Sequence, residues 1–152
     1  MRSHHDTQQS PYSTQQIFDM VLDIERYPEF LPWCRTARIL ERGAGEMTAE
    51  LAVSFLHLTE SYVSHVTYRR PASPADGGAI DARLLRGPFK HLTNNWIFSP
   101  REGGGTNITL DLAFEFRSRL LDSLIGSLFG KATDKMALAF AKRADALYSG
   151  KD

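Results

Sequence analysis

Cys34 is the only cysteine, so no internal disulfide can form. Small secreted domains lean on disulfides, and an intracellular setting is expected. Charge of one sign is equally scarce, because 18 basic and 18 acidic side chains cancel to zero. A dedicated nucleic-acid binder carries a clear basic excess, so no DNA partner is expected. Residues 1–76 hold 7 basic and 10 acidic groups and the rest hold 11 and 8, which leaves room for a local basic patch facing anionic lipid. Long apolar runs are missing too, and none approaches the roughly 18 residues of a membrane span. The first ten residues include His4, His5 and Asp6 where a secretory signal needs an apolar core. The expectation is a cytoplasmic protein that at most visits membranes.

Catalytic patterns are also lacking. His57, His65 and His91 show none of the paired spacings of zinc sites, and His4 and His5 lie at a terminus. Cys34 has no CxxC partner and reads as a small buried hydrophobe. Gly103, Gly104 and Gly105 lie between strands and read as a hairpin turn, not a phosphate loop. Asp23, Glu25 and Glu29 read as capping and solvated groups; no general acid–base pair follows from their spacing. No catalytic residue, metal or cofactor is expected.

What is present is patterning. With 152 residues, 42% of them hydrophobic, one domain with a real core is expected over 1–152. In 118–148, Leu121, Leu124, Ile125, Leu128, Met136 and Phe140 share one helical face. This predicts a single amphipathic helix roughly 45 Å long. Before it, strands alternate with period two. Leu51, Val53 and Phe55 share one face, as do Leu92, Trp96 and Phe98, and then Leu110, Leu112 and Phe114; Leu84 falls in the strand after the Pro71–Gly78 loop. A further tight connection is expected at His57-Leu58. Tight turns require antiparallel pairing. The fold class is therefore α+β: a curved antiparallel sheet of six to seven strands around a long C-terminal helix, with two short helices near the start.

Ser13 and Gln16 form a capping box for the first short helix. Residues 2–10 are polar and suit an edge strand. At 27–34, Tyr27-Pro28-Glu29-Phe30-Leu31-Pro32-Trp33-Cys34 packs large apolar groups between two prolines; a one-turn helix is expected to start near Pro28, capped by Asp23 or Glu25. Taken alone, Phe30, Leu31 and Trp33 favour a core plug over a pocket wall.

That octapeptide resembles the coenzyme Q-binding proteins and their bacterial relatives, the ribosome-association toxins, within the START-like polyketide cyclase/dehydrase superfamily. Gly87-Pro88-Phe89-Lys90-His91-Leu92, Trp96 and Phe98, and Phe114-Glu115-Phe116 carry the likeness further. It covers about residues 3–148. The resemblance implies a helix-grip fold and an apolar cavity between sheet and helix, and moves Phe30, Leu31 and Trp33 to a place beside that cavity. The lining then comprises these three, Leu51, Val53, Phe55, Leu84, Trp96, Phe98, Leu110, Leu112 and Phe114 from the strands, and Leu121, Leu124, Ile125, Leu128, Phe129 and Met136. It implies a non-catalytic ubiquinone chaperone or carrier supporting respiration, in transient contact with the inner face of a respiratory membrane. The first alternative is a protein that binds the large ribosomal subunit. The second is a polyketide cyclase-like enzyme, disfavoured because the inward strand faces read as too apolar.

Gly126 and Gly130 interrupt the helix pattern at about 1 kcal/mol each. They allow close packing or mark a hinge. With the hinge, residues 120–130 form a gate to the cavity with Phe30 and Trp33 opposite. Arg83, Arg86, Lys90 and His91 around the Gly87 turn suit either a solvated loop or a seat for anionic headgroups.

Overall fold

The computed structural model describes residues 2–55, 58–126 and 128–149, with the side chain of Phe55 left out. The tight connection expected at His57 lies outside the described residues. Strand β1 (Arg2–Ser10) leads into helix α1 (Thr14–Leu22), a 3₁₀ helix (Ile24–Glu29), and strands β2 (Cys34–Gly43), β3 (Glu46–Phe55), β4 (Leu58–Arg69), β5 (Gly78–Arg86), β6 (Phe89–Pro100) and β7 (Thr106–Phe116). Helices α2 (Arg119–Gly126) and α3 (Phe129–Tyr148) close the chain.

The seven strands form one antiparallel sheet in the order β1-β7-β6-β5-β4-β3-β2. Alternation sets which face each strand buries. Along β7, Leu110, Phe114 and Phe116 are buried against the helices, while Asp111 on the other face meets His5 of β1. Polar β1 pairs with β7 from Arg2↔Phe114 to Ser10↔Thr106. As an edge strand it shields the sheet without supplying core.

Two apolar clusters fill the space under the helices. The larger joins α1, the sheet and α3: Phe18 and Phe98 lie edge to face at 6.0 Å, and Trp96 meets Phe140 at 5.1 Å. The smaller gathers Phe89, Phe114, Phe116 and Ile125 with Tyr62, Leu84, Leu92, Leu121 and Phe129 around it.

The capping box at α1 is complete, with Gln16 N–H donating to Ser13 Oγ and Ser13 N–H to Gln16 Oε1. Two expectations need correction. The short helix after α1 ends near Pro28 and does not start there, and Asp23 makes no side-chain cap. Glu25 is used elsewhere: its carboxylate accepts the Ile39 N–H at 2.8 Å, beside an irregularity in β2. The single helix over 118–148 is in fact two. Ser118 Oγ accepts the Leu121 N–H at the start of α2, and Leu128 N–H reaches back to Ile125 O after its end. The break lets Ile125 face the smaller cluster while α3 follows its own course, and α3 alone is about 30 Å long.

Gly126 has a packing reason. A Cβ there would run into the guanidinium of Arg2, which crosses from β1 to bond the Asp122 carbonyl at 3.0 Å and lies 3.5 Å from its carboxylate. Gly130 has open space around it.

Candidate functional site

The inner face of the sheet does not pack solidly against the helices. Beneath the α2–α3 junction lies a chamber of about 150 Å³. Its floor is Val53, Leu92, Leu112, Phe114 and Phe116; its roof is Ile125, Leu128, Phe129, Ala132 and Met136. A second chamber of about 100 Å³ reaches toward α1 and is bounded by Ile24, Tyr27, Leu51, Val66, Ile80 and Trp96. The two share Tyr62, Leu92, Asn94 and Leu112 as common wall. A third, about 170 Å³, opens along β1 between Asp6, Gln8 and Tyr12 on one side and Trp96, Leu110, Met136 and Phe140 on the other. None alone reaches the roughly 300 Å³ of a drug-sized ligand pocket.

Of the lining residues expected from the sequence, Trp33, Val53, Leu112, Phe114, Ile125, Leu128, Phe129 and Met136 meet around the first chamber. Leu51 and Trp96 border the second, and Leu110 borders the third. Trp33 is held there by its backbone carbonyl, which accepts the Ser54 N–H at 2.8 Å. Leu31 and Phe98 are instead buried core. Phe30 is not opposite α2; its ring packs on Phe140 at 5.1 Å, with Arg143 over its face. The tight turn explains the split, because Leu31 N–H bonds to Tyr27 O and Cys34 N–H to Leu31 O, sending Phe30 and Trp33 to different places. Leu84 and Leu121 stand behind the first chamber in the smaller cluster. Leu124 is 39% exposed on the outer side of α2.

Sequence reasoning passed over Tyr62, Ser64, Asn94, Phe89, Leu92 and Phe116. Parity was the available signal: Asn94 sits between Leu92 and Trp96 on the inward row of β6, and Tyr62, Ser64 and Val66 form the matching row of β4. Gly87 backs Tyr62 closely at φ +154°, where a Cβ would collide with the tyrosine's own Cβ. The expectation that the inward faces are too apolar for converging polar groups is therefore corrected. Asn94 Oδ1 is fully enclosed and has no hydrogen-bond partner among the described residues. Burial pushes the Tyr62 phenol pKa upward, so it stays protonated at neutral pH. Thr133, by contrast, is satisfied within its own helix by Phe129 O and Gly130 O.

Acid–base chemistry finds little here. Tyr27 donates its hydroxyl to Val21 O, and burial raises its pKa as well. Burial pushes the Cys34 thiol up to about 11, which leaves it a poor nucleophile. Among the described residues no three His, Cys, Asp or Glu side chains gather as a metal site, and no helix is long and apolar enough to cross a membrane.

Residues 10–141 match the family model described as polyketide cyclase / dehydrase and lipid transport. The chain belongs to this START-like family. Within it, the chain is 41% identical to the ribosome association toxin RatA of Rickettsia prowazekii, over 95% of this chain and 97% of that one. It is 34% identical to the mitochondrial coenzyme Q-binding protein COQ10 homolog B of Xenopus laevis, over 90% of this chain and 55% of that protein. The aromatase/cyclase Zhui of a Streptomyces superposes with a TM-score of 0.81 over 99% of both chains at 17% identity, a likeness of fold.

Proposed function

We propose that the protein binds ubiquinone or a similar prenylated lipid under the α2–α3 junction, does no chemistry on it, and serves as a quinone chaperone or carrier in respiration. The observation that carries this reading is the apolar chamber roofed by two helices that meet at a break. Burial of an isoprenoid tail is worth about 0.8 kcal/mol per methylene, so a carrier must offer apolar wall comparable to what the bilayer offers. The first chamber is too small for a long tail as it stands, and α2 is the short element that can yield. Leu120, 72% exposed, and Leu124 lie on its outer side. Arg117 ties the same end to the β5–β6 turn by bonding Pro88 O and Phe89 O; exposed Arg119 adjoins Leu120 in the chain, and exposed Arg86 lies just ahead of that turn. Leucines among arginines suit a transient seat on an anionic bilayer.

Mass spectrometry of lipids that co-purify with the native protein tests the reading, and a prenylated quinone is expected. Leu124→Lys is expected to lower binding to phosphatidylglycerol liposomes and quinone uptake with the fold intact. Native protein free of prenylated lipid, together with normal uptake by that variant, sinks it.

The 41% identity to a ribosome association toxin supports a second reading, binding to the ribosome. Co-sedimentation with ribosomes that disappears at raised salt favours it over the carrier. A cyclase-like reaction has less behind it, since the polar lining of the first two chambers, Tyr27, Tyr62, Ser64, Asn94 and Thr133, includes no side chain able to take a proton at neutral pH.

A further inference from the structure

Every inward position of β6 around the chambers is apolar except one. Leu92, Trp96 and Phe98 pack against neighbours; Asn94, in the middle of the row, does not. Its Oδ1 is enclosed and bonded to none of the described residues. Buried polar groups in folded proteins are nearly always hydrogen-bonded, and each exception calls for an explanation. A leucine here would pack in the same space at no such cost, so the amide does not serve the fold. Two further polar groups border the same chamber. Ser64 is buried and Tyr62 half-buried, and neither side chain makes a hydrogen bond among the described residues. One enclosed amide oxygen without a partner among the described residues and two hydroxyl groups therefore border the same, largely apolar chamber.

From this convergence we infer that Tyr62, Ser64 and Asn94 form a subsite for the oxygen-bearing ring of the ligand, at the inner end of the chambers, with the apolar tail running out beneath Leu128 and Phe129. The inference rests on the carrier reading above and says which part of the lipid is recognised. The chemistry of the three groups fits an unusual demand. A quinone ring offers only acceptor carbonyls, whereas the reduced quinol offers hydroxyl donors. Serine and tyrosine hydroxyls can donate or accept, and an asparagine amide turned over presents its NH₂ where its carbonyl stood. The subsite thus holds both oxidation states without change to the backbone. The upward-shifted Tyr62 phenol keeps its proton available for a carbonyl.

The test compares a short-chain ubiquinone, its quinol, and squalene, an isoprenoid with no oxygen, on the full-length protein. Binding is read by calorimetry and by quenching of Trp33 and Trp96, which border the chambers. Asn94→Leu is expected to weaken quinone and quinol binding at least tenfold, leave squalene binding unchanged, and melt at or above the wild-type temperature. Tyr62→Phe, which keeps the ring and its packing, is expected to weaken both oxidation states severalfold and serves should Asn94→Leu fail to fold. Quinone binding by both variants within twofold of wild type overturns the subsite while the carrier reading stands. Wild type that takes squalene as tightly as quinone does the same. Wild type that binds none of the three removes the carrier reading, and the subsite with it.

Discussion

Arg143 joins the aromatic segment to α3 in two ways, over the Phe30 ring at 5.1 Å and on Glu29 at 3.0 Å. Arg26 reaches Glu29 from the other side at 2.8 Å. The hydrogen bonds from Arg26 and Arg143 hold the Glu29 carboxyl below its ordinary 4.5. A depressed carboxylate contributes stability above its unfolded pKa and loses it as pH falls through the lower folded value. Glu29→Gln should melt slightly below wild type at pH 7, with the gap closing as pH drops below 4.5; thermal melts across pH 3–7 in low salt check this. Phe140 bears more weight, with Tyr27, Phe30 and Trp96 all edge to face around it at 5.5, 5.1 and 5.1 Å. Phe140→Ala should cost about 3–5 kcal/mol, measured by denaturant unfolding. At this scale the inward strand faces were legible, because alternation records which side chains avoid water. It was silent on Asn94, since a lone polar residue in an apolar row reads as a blemish until its surroundings are known. Nor did alternation separate Phe30 from Trp33, whose directions depend on turn hydrogen bonds inside 27–34.

Among the elements, the strands and turns were readable and the helix break was not. Periodicity carries across 118–148 because α2 and α3 turn their apolar sides toward the same sheet. Only the glycines mark the junction, and the reason for Gly126 is a guanidinium 120 residues from its hydrogen-bond partner Asp122. Arg2 acts as a latch on α2: besides the contacts it makes with Asp122, its Nε is buried without a partner among the described residues. A buried guanidinium nitrogen left unsatisfied is costly, so the latch is held under mild penalty and is suited to release. Arg2→Ala should raise hydrogen exchange in 119–126 while 132–147 keeps its protection; equal protection in both helices would show that the latch has no role in opening. Polar β1 was expected at an edge, and it lies there because its inward groups, Arg2, His4, Asp6 and Gln8, meet helix ends and a chamber mouth where apolar residues gain little.

For the molecule as a whole, a formal charge of zero removes the mutual repulsion that keeps proteins apart. Solubility should pass through a minimum near pH 7 at low ionic strength and rise toward pH 5 or 9, as turbidity at fixed concentration will record. The meander was legible from turn lengths, and the α+β class from the period-two strands followed by an amphipathic helix. The strand order was legible only from β2 onward, because nothing in the polarity of residues 2–10 says which strand they join.

That pairing sets a timetable. β1 leaves the ribosome before β7 and must wait for it, since Arg2 faces Phe114 and Ser10 faces Thr106. At ordinary synthesis rates the delay is roughly 5–20 s, during which the other strands can pair with neighbours already made. The residues that latch α2 and border the third chamber are thus translated ahead of the other six strands and installed after them. A chain released before β7 is made would hold strands β2 to β6 paired and β1 adrift.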